Sequence, residues 1–318
     1  MPDPINWRSK ILLAKIETVY GTDAVPTGAD NAILAVDVTL APMEGEDVSR
    51  NLERPFLGAQ EEFKVGLRSV LTFSTELVGA GATGVAPAWG SLARACGLAE
   101  VVTPDVDPDD GTVVYKPVST GHESVSIYFL IGGTRHVMKG CRGTGVITAN
   151  AQGVPVIRWT MTGLFAMPSE QTRPTVDFSD FKTPSVVTNT NTPVFTLGAV
   201  ALVMRSFELN LGCDVQPRML VGREEIRIVD RAEQISCSVE AVPLTTFNPF
   251  DRALSLTPTA VALTHGTVAG FKTSIAVPTG SVARLTGYEQ QQNLLEWPLR
   301  VTPIPSSAGD DQFTLTLH

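Results

Sequence analysis

The spacing most suggestive of chemistry in this chain is Gly79-Ala80-Gly81-Ala82-Thr83-Gly84. A G-x-G-x-x-G run between a strand and a helix lets backbone amides close on a pyrophosphate at the helix N-terminus. The context here argues otherwise. The run before it, Leu71 to Leu77, alternates apolar and polar residues, whereas a buried parallel strand is nearly all apolar. Pro87 interrupts the approach to the helix, and no series of β-α-β units follows. The expectation is a flexible strand-to-helix loop and no bound cofactor.

The other reactive residue types are scattered. His122, His136, His265 and His318 stand far from one another and from any cysteine cluster, which disfavours zinc. No G-x-S-x-G elbow is present. Glu61-Glu62 and Asp109-Asp110 fall in polar loops, where solvated surface explains them better than a glycosidase dyad. Cys96, Cys141, Cys213 and Cys237 form no C-x-x-C pair and no disulfide framework, so a reducing compartment is expected. A net charge of −9 and the absence of basic clusters with aromatics argue against a nucleic-acid-binding surface. No enzyme is expected.

The elements around these residues are strands. Leu71, Phe73, Thr75 and Leu77 alternate with Thr72, Ser74 and Glu76, a period of two. Ile235, Cys237, Val239 and Ala241 alternate in the same way with Ser236, Ser238 and Glu240. Glu76 and Glu240 lie 164 positions apart, as do Gly58 and Gly222. Ile157, Trp159 and Met161 recur as Leu295, Trp297 and Leu299 at a constant offset of 138. The second half therefore reads as a copy of the first with shorter connections. The expected division is a first module at 1–170 and a linker plus second module at 171–318, with Pro168 to Pro193 joining them.

Each copy is expected to hold one short helix. Trp89 to Leu98 places Trp89, Leu92, Ala93 and Cys96 on one face, and Pro249 to Leu254 is its counterpart. Hairpins are expected at Val125 to Val137 around Gly132-Gly133, and at Val146 to Phe165 around Asn150 to Gly153. Ala41 to Gly66 reads as a long polar loop. At Arg223 to Arg231 the repeat slips by one residue, as a bulge would cause. The 27 glycines and 22 prolines suit short strands joined by turns. No signal peptide is expected in Met1 to Tyr20, and Phe195 to Met204 is too short to span a bilayer.

The segment Ile11 to Asp23, continuing to Pro26-Thr27, resembles the N-terminal segment of tail tube (major tail) proteins of long, flexible-tailed bacteriophages of the siphophage type. Gly153-Val154-Pro155 followed by Ile157, Trp159, Thr162, Gly163 and Leu164 resembles a late hairpin of the same family. The resemblance implies a mainly β fold: two tandem tail-tube β-sandwich or barrel modules, each with one short helix. It implies a structural subunit whose rings stack into a tube for genome delivery. With two modules per chain, a homotrimeric, pseudo-hexameric ring is expected. The implied partners are further copies of the chain, the tape measure protein, tail terminator and distal tail proteins, and passing double-stranded DNA without specific binding. The implied location is the virion tail, assembled in the host cytoplasm, with no membrane insertion. Contacts between rings are expected from an N-terminal arm, Met1 to Thr22, and from the long loop, at Lys15, Glu17, Tyr20, Glu44, Glu46, Asp47, Arg50 and Arg54. The alternative reading is a tandem β-sandwich decoration or adhesin protein of the virion.

Overall fold

The computed structural model describes residues 4–107 and 110–318. Asp109 of the Asp109-Asp110 pair lies outside the described residues, as does the start of the arm. The first half builds β1 (Lys10–Ile16), β2 (Val36–Ser49), β3 (Glu62–Glu76), helix α1 (Gly90–Ala95), β4 (Leu98–Thr103), β5 (Thr112–Pro117), β6 (Val125–Ile131), β7 (Thr134–Asn150) and β8 (Val156–Leu164). Three short strands follow: β9 (Ser169–Glu170), β10 (Val194–Leu197) and β11 (Val200–Ala201). The rest builds β12 (Met204–Asn210), β13 (Cys213–Leu220), β14 (Arg223–Arg231), β15 (Gln234–Glu240), helix α2 (Pro249–Ser255), β16 (Val261–His265), β17 (Thr273–Val277), β18 (Gly280–Val282), β19 (Glu289–Gln291), β20 (Leu294–Pro303) and β21 (Thr314–Leu317).

One sheet runs β18-β20-β15-β12-β7-β8-β3-β2, with β19 also on β20 and with β1 and β6 joined through β7. A second runs β11-β10-β16-β17-β21-β5-β4. Every described pairing is antiparallel, so alternate side chains of each strand point to one core. Phe73, Trp159, Phe207, Ile235 and Trp297 from the first sheet share a single apolar cluster with Tyr115, Leu263, Ile275 and Leu315 from the second. The strand order β2-β3-β8-β7 of the first half is matched by β12-β15-β20 and its neighbours β18 and β19. A helix follows β3 in one half and β15 in the other.

The two helices are held differently. α1 has no side-chain cap and is anchored by Trp89, whose Nε1–H donates to the Val78 carbonyl at 3.0 Å. Its ring packs 5.3 Å from Tyr115 and 6.4 Å from Trp159. α2 begins at an Asn248 cap that accepts from the Phe250 and Asp251 amides, followed by Pro249 in the first turn.

The structure revises two elements. The helix expected at Trp89 to Leu98 ends at Ala95, and Leu98 opens β4. The expected loop at Ala41 to Gly66 is a β-ribbon: β2 and β3 stay paired out to Ser49 opposite Glu62, so the irregular connection is only 50–61. A two-stranded ribbon that is exposed along most of its length has no buried face to impose alternation, so the pattern hid it. The slip at Arg223 to Arg231 is a bulge. Asp214 faces Asp230 and Val215 faces Ile228, which leaves Val229 without an opposite residue.

Candidate assembly surface

The first sheet begins and ends in open edges. Among the described pairings, β2 is bonded only to β3, and β18 and β19 only to β20. An unpaired edge presents a row of backbone donors and acceptors to any arriving strand. Lys10 guards part of the β2 edge, its ammonium donating to the Val38 carbonyl at 2.9 Å.

Inside the chain, an edge of the first half is already joined to an edge of the second. β7 pairs with β12, setting Asn150 opposite Ser206, Thr148 opposite Glu208, Ile147 opposite Leu209 and Val146 opposite Asn210. The Leu211 amide extends this junction by donating to the Gly145 carbonyl at 2.9 Å.

The β13–β14 ribbon strengthens the junction by crossing β7 and β8. Arg142 donates to the carbonyls of Ile226, Glu123 and His122, and its guanidinium lies 4.8 Å from the centre of the Tyr20 ring. Arg231 donates to the carbonyls of Cys96 and Gly97 at the end of α1. Ile226 and Ile228 are buried beneath this ribbon, 0% and 7% exposed. The β2–β3 ribbon is bare by contrast: Phe63 is 56% exposed and Val65 41%, and Phe56 and Leu57 at its tip are also exposed.

The residues expected to lie between rings fall into two groups. Lys15, Glu46, Asp47, Arg50 and Arg54 are exposed and Glu44 is half-buried. Asp47 pairs with Lys64 at 2.7 Å and Glu44 with Arg68 at 3.6 Å, within the ribbon itself. Glu17 and Tyr20 are instead engaged within the chain. The Glu17 carboxylate accepts from the hydroxyls of Ser124 and Ser126 and from the amides of Gly21 and Gly140, and is 7% exposed. The Tyr20 hydroxyl accepts from the Ile226 amide. Reading sequence alone missed Phe63 and Val65, whose signal was an apolar pair in an otherwise charged ribbon.

The glycine-rich loop packs against protein. The Gly81 amide donates to the Gly270 carbonyl at 3.0 Å, and a Cβ on Gly79 would lie 2.2 Å from that same oxygen. Gly81 and Gly84 have φ of +83° and +65°. The close backbone approach these glycines permit is taken up by the turn between β16 and β17. Among the described residues no group of three or more His, Cys, Asp or Glu converges as metal ligands would. The four cysteines are free and buried, and desolvation pushes the Cys237 thiol up to about 12, far from a reactive thiolate.

What this architecture offers is strand edges and ribbons. A family model described as phage tail tube protein matches residues 7–317. The chain belongs to the phage tail tube protein family. No curated protein matches it. As a tail tube protein it is a structural subunit of the virion tail that assembles with copies of itself and with other tail proteins; the family is structural, not enzymatic. Among the described residues no helix is long and apolar enough to cross a membrane.

Proposed function

We propose that three copies of the chain close a ring of six equivalent modules, two tandem copies per chain at 1–170 and 171–318. Such rings stack into a hollow siphophage tail tube through which the genome is delivered. The observation that carries this reading is the sheet order, in which β2-β3-β8-β7 passes directly into β12-β15-β20. A chain that already sets two four-stranded units edge to edge needs only to repeat the step to close a barrel, which removes every open edge. Cyclic closure is head to tail, since the two open edges belong to different halves.

The tube would enclose the tape measure protein and end against the terminator and distal tail proteins. Its net charge of −9 suits a wall that DNA crosses without sticking. The test is the cross-section of the assembled tube. Three chains per ring with threefold outer features support the reading. Six chains per ring, each with one module outside the wall, overturn it.

A further inference from the structure

The junction made once inside the chain has a second pair of matching edges, and the two halves can be aligned residue by residue across it. In β7–β8, Val146 faces Arg158, Ile147 faces Ile157 and Thr148 faces Val156. In β19–β20, Glu289 faces Glu296, Gln290 faces Leu295 and Gln291 faces Leu294. The β8 and β20 residues in these pairs keep the 138-residue offset of Trp159 and Trp297. Glu289 to Gln291 therefore stand in the second half where Val146 to Thr148 stand in the first.

The opposite edge aligns equally well. Thr39 faces Thr72 and Leu40 faces Leu71, as Glu208 faces Ser236 and Leu209 faces Ile235. The ribbons above agree once the Val229 bulge is allowed for: Glu62-Phe63-Lys64-Val65 corresponds to Glu225-Ile226-Arg227-Ile228. Both stretches carry an ion pair two residues long, Glu62 with Lys64 and Glu225 with Arg227. The difference between them is burial. Ile226 and Ile228 are covered by the first half of their own chain, while Phe63 and Val65 have no such cover.

We propose that β2 of one copy pairs with β19 of a second copy in a defined register, Thr39 opposite Gln291 and Leu40 opposite Gln290, and that Phe63 and Val65 pack on the second half of that copy. This rests on the ring reading, because it takes the two halves as equivalent. The occupant is a second copy of this chain because its other half already makes the same contact in cis. The seam between chains differs at two places. Lys10 already donates to the Val38 carbonyl, on the stretch of the β2 edge that corresponds to Phe207. Pro42 stands where Leu211 donates its amide to Gly145, so the ladder between chains ends one bond earlier.

The test is disulfide formation in the assembled particles. The four native cysteines are buried, so the background is low. The double variant Thr39→Cys with Gln291→Cys should give covalent chain-to-chain links on oxidation, with Leu40→Cys and Gln290→Cys as a second in-register pair. Thr148→Cys with Glu208→Cys should close the same geometry within one chain. Ala41→Cys with Gln291→Cys, two residues off register, should stay reduced, because a disulfide needs its Cβ atoms within about 4.5 Å. In a separate variant, Phe63→Asp with Val65→Asp should leave the melting temperature of the free chain unchanged and lower the share of chains in rings at least tenfold. Rings that form with both in-register pairs unlinked overturn the seam and leave the ring reading standing. A wild-type protein that forms no annular particle overturns the ring reading, and the seam with it.

Discussion

The Tyr20 hydroxyl lies 2.5 Å from the amide nitrogen of Ile226, 206 residues further along the chain. Arg142 completes the clamp by donating to the carbonyl of the same residue at 2.8 Å. Both backbone groups of Ile226 are thus satisfied by the first half of the protein, although Ile226 belongs to a ribbon of the second. This pair of bonds fixes the angle at which β13–β14 lies across β7 and β8.

Tyr20→Phe should keep the ring under the Arg142 guanidinium and remove the acceptor. A buried amide left without a partner costs about 1–3 kcal/mol. The expected result is a lower midpoint of denaturant unfolding with an unchanged slope. An unchanged midpoint would mean that water replaces the phenol at no cost.

The glycine-rich loop gives a second test. Gly79→Ala places a Cβ against the Gly270 carbonyl, and Gly84→Ala combines a φ of +65° with a Cβ 2.7 Å from the Thr103 carbonyl. Each should cost more than about 1 kcal/mol. Gly287→Ala, whose Cβ meets nothing within 4 Å, should be nearly silent. Thermal unfolding of the three variants, with and without added NAD, checks the packing role. Stabilisation of the wild type by NAD would restore the dinucleotide reading.

The strands and hairpins were legible because one face of each is buried, so Phe73 and Trp159, or Val239 and Trp297, had to recur at every second position. The Val229 bulge was legible as a slip because a single extra residue reverses that alternation. The Ala41 to Gly66 ribbon was not, since it projects from the sheet and Met43, Val48, Phe63 and Val65 are exposed among charged neighbours. Of the surface residues, the charged ones stood out in the sequence. The roles of Glu17 and Tyr20 inside the chain were hidden, because their partners Ser124, Ser126, Gly140 and Ile226 come from distant strands.

Stability should fall as pH drops below neutrality. His265 is pinned as a neutral imidazole, 2.9 Å from the Thr192 hydroxyl and 3.0 Å from the Ser185 carbonyl, and burial holds its pKa below the usual 6.5. His122, His136 and His318 are lowered for the same first reason. Between the lowered value and 6.5 the unfolded chain binds more protons, so the fold loses stability as pH falls through that window. Glu233 acts in the opposite sense from 4.5 upward, because burial raises its pKa. Unfolding midpoints between about pH 7.5 and 5.5 should decline, and less steeply in His265→Gln.

The ribbon tip offers a test of stacking separate from ring closure. Ser49 and Glu62 face each other, so replacing 50–61 by Asn-Gly should close the ribbon with a tight turn and leave the fold intact. The expected product is soluble rings that no longer form tubes. Tubes of normal length from this variant would place the contacts between rings elsewhere.

The pairing of β7 with β12 also has a kinetic consequence. Two units tied by one polypeptide meet at an effective concentration in the millimolar range, whatever the dilution of the chains. Every second joint of the proposed ring is then made during folding, before subunits collide. Closing a ring becomes a three-body event in place of a six-body one, so its onset with concentration is less steep. A ring then has three seams between chains to form instead of six, and for the same number of modules half as many open edges are free to pair out of turn.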